Sequence, residues 1–322
     1  MKKSKRLLTA ALLSIITLSL VACGGGSQES VEDYPSQEIE MTIPWSPGGG
    51  SDIEGRLVAD HASEHVGVDL VPVNVPGVGG TVGLEELSNK EANGYSIGQI
   101  HEGLLVSHHS DVTDINYDSF EPIASMSSSD QILAVSDDLG VDTLEEFVEY
   151  GQKNEIQFGG TVAGIPRVWV EQIGKELDIQ YNLVGYEGIA EAIQALAGGH
   201  IDAAIVDYPS GNDFVESGDM KFIAIGTKER AERTPDLPTF VEKGYDLTMG
   251  INRGYVAPEG TPPEIIEKLE QALKETANDE DYIKAVEKVG ASVNFMNTEE
   301  YKEYLDQQDQ VISDVIEEIS AE

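Results

Sequence analysis

Strand-like and helix-like segments alternate along almost the whole chain, and this order constrains the fold more than any other feature. Residues 38–43 place Ile39, Met41 and Ile43 on one side with a period of two, the spacing of a strand. After a turn at 44–50, residues 52–65 set Ile53, Leu57, Val58 and His61 on one helical face. The exchange continues with strands expected at 68–75, 95–100, 131–136, 156–159, 181–184, 201–206 and 221–226. Between them lie a short helix around Leu84 and Leu87 and helices over 142–153 (capped by Asp142), 166–177 and 189–197. The tail reads as helix over 262–277, 279–289 and from Thr298 onward, with Tyr301, Leu305, Val311, Ile312, Val315 and Ile319 as its apolar face. Strands spaced by helices imply βαβ units and mainly parallel sheets. There are too many units for one compact sheet, so two α/β lobes are expected, with the chain crossing between them near 101–118 and 227–238.

The N-terminus does not belong to that pattern. Lys2, Lys3, Lys5 and Arg6 precede an apolar run over 7–22 whose 16 residues fall short of a bilayer span. This is the composition of an export signal, to be left out of fold reasoning. Leu20-Val21-Ala22-Cys23 resembles a bacterial lipobox, so Cys23 is expected to carry the lipid, with 1–22 as signal peptide and 23–34 as tether. Two acyl chains hold a membrane where one is marginal. The plainer alternative is a signal peptide with a chance cysteine. The chain has 1 cysteine, which excludes an internal disulfide and a cysteine metal cage. An extracytoplasmic protein anchored at the cell membrane is the expected product.

Acidic residues number 59 against 20 Lys and Arg, a formal net charge of −39. Such a surface repels phosphate backbones, so nucleic acid is excluded as a partner. Two explanations stand for the excess: the ordinary acidity of exported proteins, or an acidic proteome in a high-salt host where self-repulsion is screened.

Two glycine loops open two of the helices. Pro47-Gly48-Gly49-Gly50-Ser51-Asp52 follows the first strand, and Pro76-Gly77-Val78-Gly79-Gly80-Thr81 follows the second. The first amides of a helix have no internal acceptor and carry about half a positive charge. Two such ends at one sheet edge would cradle an anion without Lys or Arg. Neither loop is a nucleotide loop: no Gly-x-x-x-x-Gly-Lys motif occurs, and Val82 breaks Gly-x-Gly-x-x-Gly. A carboxylate is the better expectation than a phosphate. The alternative is that both are only tight turns.

Taken together, these segments resemble a known family. Ile43-Pro44-Trp45-Ser46-Pro47-Gly48-Gly49-Gly50-Ser51-Asp52 looks like the first signature of the solute-binding proteins of tripartite tricarboxylate transporters, and Asn74-Val75-Pro76-Gly77-Val78-Gly79-Gly80-Thr81-Val82-Gly83 like the second. Asn93-Gly94-Tyr95-Ser96, Tyr186-Glu187-Gly188, Ala197-Gly198-Gly199-His200-Ile201-Asp202, Leu237-Pro238-Thr239-Phe240 and Ala257-Pro258-Glu259-Gly260-Thr261-Pro262 follow in the same order. The resemblance implies a two-lobed periplasmic-binding-protein fold of type II (Venus-flytrap) with mixed, mainly parallel sheets. One lobe is expected over 35–128 and 246–322 and the other over 129–245. It implies capture of a small organic carboxylate, a di- or tricarboxylate included, and its delivery to membrane permease subunits. A sensor feeding a two-component signalling system is the alternative. Ligand contacts are expected from Trp45, Ser46, Gly48, Gly49, Gly50, Ser51 and Asp52, from Gly77, Val78, Gly79, Gly80 and Thr81, and from Thr161, Ala163, Tyr186 and Asp207. Arg167 stands where the family has His; it either meets the far end of a longer ligand or pairs with Glu171. Arg253 is an anion ligand or a structural ion pair.

Enzyme readings lack their parts. His101-Glu102-Gly103-Leu104-Leu105 begins like a zinc helix but has Leu105 where a second His belongs, and the adjacent His108 and His109 chelate poorly. No Gly-x-Ser-x-Gly elbow occurs, so a hydrolase has neither nucleophile nor metal. No cofactor and no metal are expected.

Overall fold

A computed structural model describes residues 31–321. The expected signal peptide, Cys23 and tether residues 24–30 lie outside the described residues. Residues 31–34 form a turn, and the strands and helices begin after Pro35.

In chain order the body runs β1 (Ile39–Ile43), α1 (Gly50–Val66), β2 (Leu70–Asn74), α2 (Thr81–Ser88), β3 (Ser96–Ile100), α3 (Gly103–His109) and β4 (Phe120–Ser136). It continues with α4 (Leu144–Gly151), β5 (Ile156–Gly160), α5 (Ile165–Leu177), β6 (Tyr181–Gly185), α6 (Ile189–Ala197), β7 (Ala203–Asp207), α7 (Tyr208–Ser217) and β8 (Met220–Ile225). Last come β9 (Gly250–Pro258), α8 (Pro263–Ala277), α9 (Glu280–Val289), β10 (Ser292–Met296) and α10 (Thr298–Ala321). The strands join in the order β2-β1-β3-β9-β4-β7-β5-β6, with β8 and β10 also on β4.

One long strand organises this sheet. β4 pairs with β9 from Phe120 opposite Pro258 to Asp130 opposite Gly250, and from Gln131 onward it pairs with β7 and β8 instead. At the changeover Gln131 donates to the Met249 carbonyl, Met249 to that of Gly226, and Gly226 back to that of Gln131. The balance of directions differs from expectation. Among the described strands, four pairings are parallel (β1 with β2 and β3, β5 with β6 and β7), while five are antiparallel and all involve β4 or β9. The stretch 101–118, expected to be polar connection, holds α3.

Apolar faces fix the layers. Leu133, Phe147, Phe158, Trp169 and Ile205 share one buried cluster, and Leu84, Leu87, Ile100, Tyr301 and Leu305 share another. The latter brings α10 so near β9 that a Cβ on Gly254 would lie 2.2 Å from the Tyr301 ring.

The cap of α4 also departs from expectation. Thr143, not Asp142, is the N-cap, its hydroxyl accepting the Glu146 N–H at 3.2 Å. Thr143→Ala is therefore expected to cost about 1 kcal/mol of stability in urea unfolding. Asp142→Ala should cost less, because it removes only an exposed ion pair with Lys221.

Candidate functional site

Parallel strands followed by helices leave helix starts at the carboxyl ends of those strands, where α/β sheets bind ligands. Four of these starts meet at one cavity of about 60 Å³. Gly49, Gly50 and Ser51 bring the start of α1; Gly164, Ile165 and Pro166 that of α5; Ile189 that of α6; Asp207 that of α7. The N-cap residues of α1, α5 and α6 are Gly49, Gly164 and Gly188, and none supplies a side-chain acceptor. The first amides of α1 and α6 are thus left for something else to satisfy, and in α5 only that of Ile165, because Pro166 has no N–H and Arg167 donates to the Gly164 carbonyl at 3.1 Å. α7 differs, since Asp207 caps it by accepting the Ser210 N–H at 3.1 Å.

Beside these amides lies a buried guanidinium. Arg253 is 2% exposed on β9. Its Nε donates to Ser51 Oγ at 3.1 Å, Nη1 to Glu54 Oε1 at 2.8 Å and to Ser129 Oγ at 2.9 Å, and Nη2 to Asp207 Oδ2 at 2.7 Å. Four of its five N–H groups are engaged, which leaves one on Nη2. Glu54 also accepts from the hydroxyls of Ser127 and Ser129. Burial pushes the Glu54 carboxyl up from its usual range, while Arg253 and the two hydroxyls pull against it. The close approach needs glycine: a Cβ on Gly50 would stand 1.9 Å from Asp207 Oδ2 and 2.7 Å from Arg253 Nη2.

On another wall Trp45 stacks against His101 with ring centroids 4.0 Å apart and planes 12° from parallel. His101 Nδ1 accepts the Gly103 N–H at 2.9 Å, so the neutral ring carries its proton on Nε2. Burial, and then the charge of Arg253, hold His101 well below the usual imidazole range. At neutral pH and above it is a neutral donor. Behind it the buried Glu102 accepts from the Asn252 backbone and the Tyr304 hydroxyl, which fixes β9 next to Arg253.

Trp45, Ser46, Gly49, Gly50, Ser51, Gly79, Thr161, Asp207 and Arg253 line this cavity, and the other expected contacts do not. Gly48 instead donates to Asp52 Oδ2 at 2.9 Å, and Asp52 Oδ1 takes Arg56 and Asn74, each at 2.9 Å. The second loop turns its amides inward, since Gly80 and Val82 both donate to the Gly77 carbonyl, while the Thr81 hydroxyl donates to that of Val78. The Val78 amide, expected to face a ligand, donates to Glu187 Oε2 at 3.1 Å. Gly80 backs the Trp45 indole, and Gly79 lies over the Ala163 carbonyl, so Ala163 supports the loop from beneath. Arg167 points its Nε at Glu171, 3.5 Å away on its own helix, the second of its two expected alternatives. Tyr186 packs with the apolar cluster of Ile193 and Ile201.

His101, Gln131, Trp169, Ile205 and Ile251 complete the lining with the α5 and α6 starts, and none of these was an expected contact. Two signals could have found some of them. Gly164-Ile165-Pro166 and Gly188-Ile189 repeat the glycine-before-helix pattern of the first loop, and His101 directly follows β3. Among the described residues, no group of three His, Cys, Asp or Glu could hold a metal ion. No described helix is long and apolar enough to cross a membrane.

Known proteins share this architecture. A UPF0065 protein of Cupriavidus necator, from the gbd 5' region, is 26% identical over 307 residues, 93% of each chain. The structure of the periplasmic binding protein BugD superposes with a TM-score of 0.83 at 25% identity, over 90% of this chain and 99% of that one. MatC from Rhodopseudomonas palustris, solved with bound malate, has the same fold with a TM-score of 0.81 at 21% identity, over 88% of this chain and 100% of that one. The family described as tripartite tricarboxylate transporter family receptor, TctC, matches residues 55–321. With nearly all of the folded body matched, the chain belongs to the TctC family of tripartite tricarboxylate transporter receptors, which are solute-binding proteins and not enzymes.

Proposed function

We propose that this chain is an extracytoplasmic receptor, held at the membrane by acyl chains on Cys23, that captures a small organic carboxylate and hands it to permease subunits of a tripartite tricarboxylate-type transporter. The observation that carries the reading is the meeting of three uncapped helix starts at one cavity, next to a buried Arg253 with one N–H to spare. In a chain of net charge −39 the bulk field repels anions, so only fixed local dipoles and a buried cation can hold one. The malate in MatC supports a carboxylate as the guest.

We read residues 35–128 with 246–322 as one lobe and 129–245 as the other. The partner change of β4 between Asp130 and Gln131 supports that division. The contacts of Val78 with Glu187 and of Gly79 with Ala163 would then join the two lobes beside the cavity. Closure on a ligand is then a hinge motion.

Calorimetric titration and thermal melting against a panel of carboxylates including malate, at high salt, test this reading. One acid is expected to bind at a single site and to add about 2.7 kcal/mol of stability at a hundredfold excess over Kd. A panel in which no carboxylate shifts the melt or releases heat would remove the reading.

A further inference from the structure

The second glycine loop is held in a conformation that one of its residues resists. Gly77, Val78, Gly79 and Gly80 all have positive φ, at 146°, 45°, 69° and 100°. Glycine adopts such values freely, whereas a β-branched residue there is a true outlier. Packing does not compensate Val78, because its side chain is 50% exposed. Strain of this kind persists only where the surroundings impose it.

The hydrogen bonds show what imposes it. The Val78 carbonyl accepts the Thr81 hydroxyl at 3.0 Å and the Thr81 N–H, both from within the loop. The Gly77 carbonyl accepts Gly80 at 2.9 Å and Val82 at 3.4 Å, again within the loop. The Val78 N–H instead reaches out of the loop, to Glu187 Oε2 at 3.1 Å, just ahead of the α6 start. This bridge lies beside the cavity: Gly79 and Ile189 line it, one residue from Val78 and two from Glu187. The loop also backs a cavity wall, since a Cβ on Gly80 would stand 3.1 Å from the Trp45 indole. A loop that left this conformation would free the Trp45 side of the cavity.

We infer that Glu187 is a positioning residue for the ligand site: its carboxylate latches the Val78 amide and so holds the strained second loop against Trp45. Releasing the latch loosens that wall and speeds the departure of a guest, a consequence that rests on the receptor reading above.

Hydrogen exchange in the ligand-free full chain tests the latch without any ligand. The readout is the amides of Gly80 and Val82, both bonded to the Gly77 carbonyl. Glu187→Ala removes the acceptor and is expected to speed their exchange about tenfold or more, with α8 unchanged. Glu187→Gln keeps a carbonyl oxygen and is expected to stay within about threefold of the parent chain. Asn tolerates left-handed backbone better than valine, so the Val78→Asn background is expected to shrink the Glu187→Ala effect to about threefold or less. Equal exchange in the parent and Glu187→Ala would overturn the inference. So would an undiminished effect in the Val78→Asn background, or a rise shared equally by α8.

Stopped-flow tryptophan fluorescence with malate reads the consequence for binding. Glu187→Ala is expected to raise the dissociation rate about tenfold, and Glu187→Gln to restore it. An unchanged rate would overturn the latch's part in binding and leave the receptor standing. Should malate not bind the parent chain, that failure belongs to the receptor reading, and exchange alone decides the latch.

Discussion

Replacing Arg253 with methionine should destabilise the folded chain by about 3–5 kcal/mol at pH 8, the effect of leaving buried carboxylates without their cation. Glu54 is 1% exposed and Asp207 4%, so water cannot take over for the missing guanidinium. Salt should rescue little, because screening acts weakly on buried charges. The pH dependence carries the diagnosis. Glu54 already titrates above its ordinary range through burial, and without Arg253 it is pushed further up. A raised carboxyl stabilises the fold when protonated, and that contribution is lost as pH rises through the folded-state value. The deficit of Arg253→Met is therefore expected to be largest at pH 8 and to shrink toward pH 5, as read by guanidinium unfolding at both. Adding Glu54→Gln should recover part of the loss at pH 8. A deficit independent of pH would mean that lost packing, not charge, explains it.

The same cluster shows what sequence could and could not reveal. The α/β class followed from periodicity alone, because βαβ units bury alternating residues on strands and a stripe on helices. The first half of β4 escaped that reading, since Ser125, Ser127 and Ser129 place hydroxyls on its buried side. Ser127 and Ser129 are satisfied by Glu54, which lies more than 70 residues away, and Ser129 also by Arg253, while the Ser125 hydroxyl is buried without a hydrogen-bond partner. Arg253 in turn follows Asn252 and precedes Gly254 in a stretch to which periodicity assigns no element, yet it lies within β9. The first glycine loop was legible because glycine at a helix start is a local signal. The fate of the second was not, because the Val78 amide is taken by Glu187, 109 positions away. Local chemistry was readable; pairings between distant segments needed coordinates.

Gly50→Ala gives the most specific test of the site, because local and tertiary effects point in opposite directions. At the first position of α1 alanine is the better helix former, by up to about 1 kcal/mol. The backbone there is not among the positive-φ glycines, so no strain opposes the change. The added Cβ nevertheless needs the space of the Asp207 carboxylate, 1.9 Å away, and of Arg253 Nη2 at 2.7 Å. Neither is free to swing aside, since both are buried and Asp207 also caps α7. The pair must part or the α1 start must lift, and either removes the donors a carboxylate would use. Carboxylate affinity is expected to fall about a hundredfold or more, with about 1–3 kcal/mol of stability lost to overpacking. The control lies at the other end of the same helix. Gly67 has φ +88° and nothing within 4 Å of an added Cβ. Gly67→Ala should cost about 1–2 kcal/mol through left-handed strain alone and leave binding unchanged. Stability thus falls in both variants, and only Gly50→Ala should lose the ligand. Equal affinity in the two would move the anion site away from the start of α1.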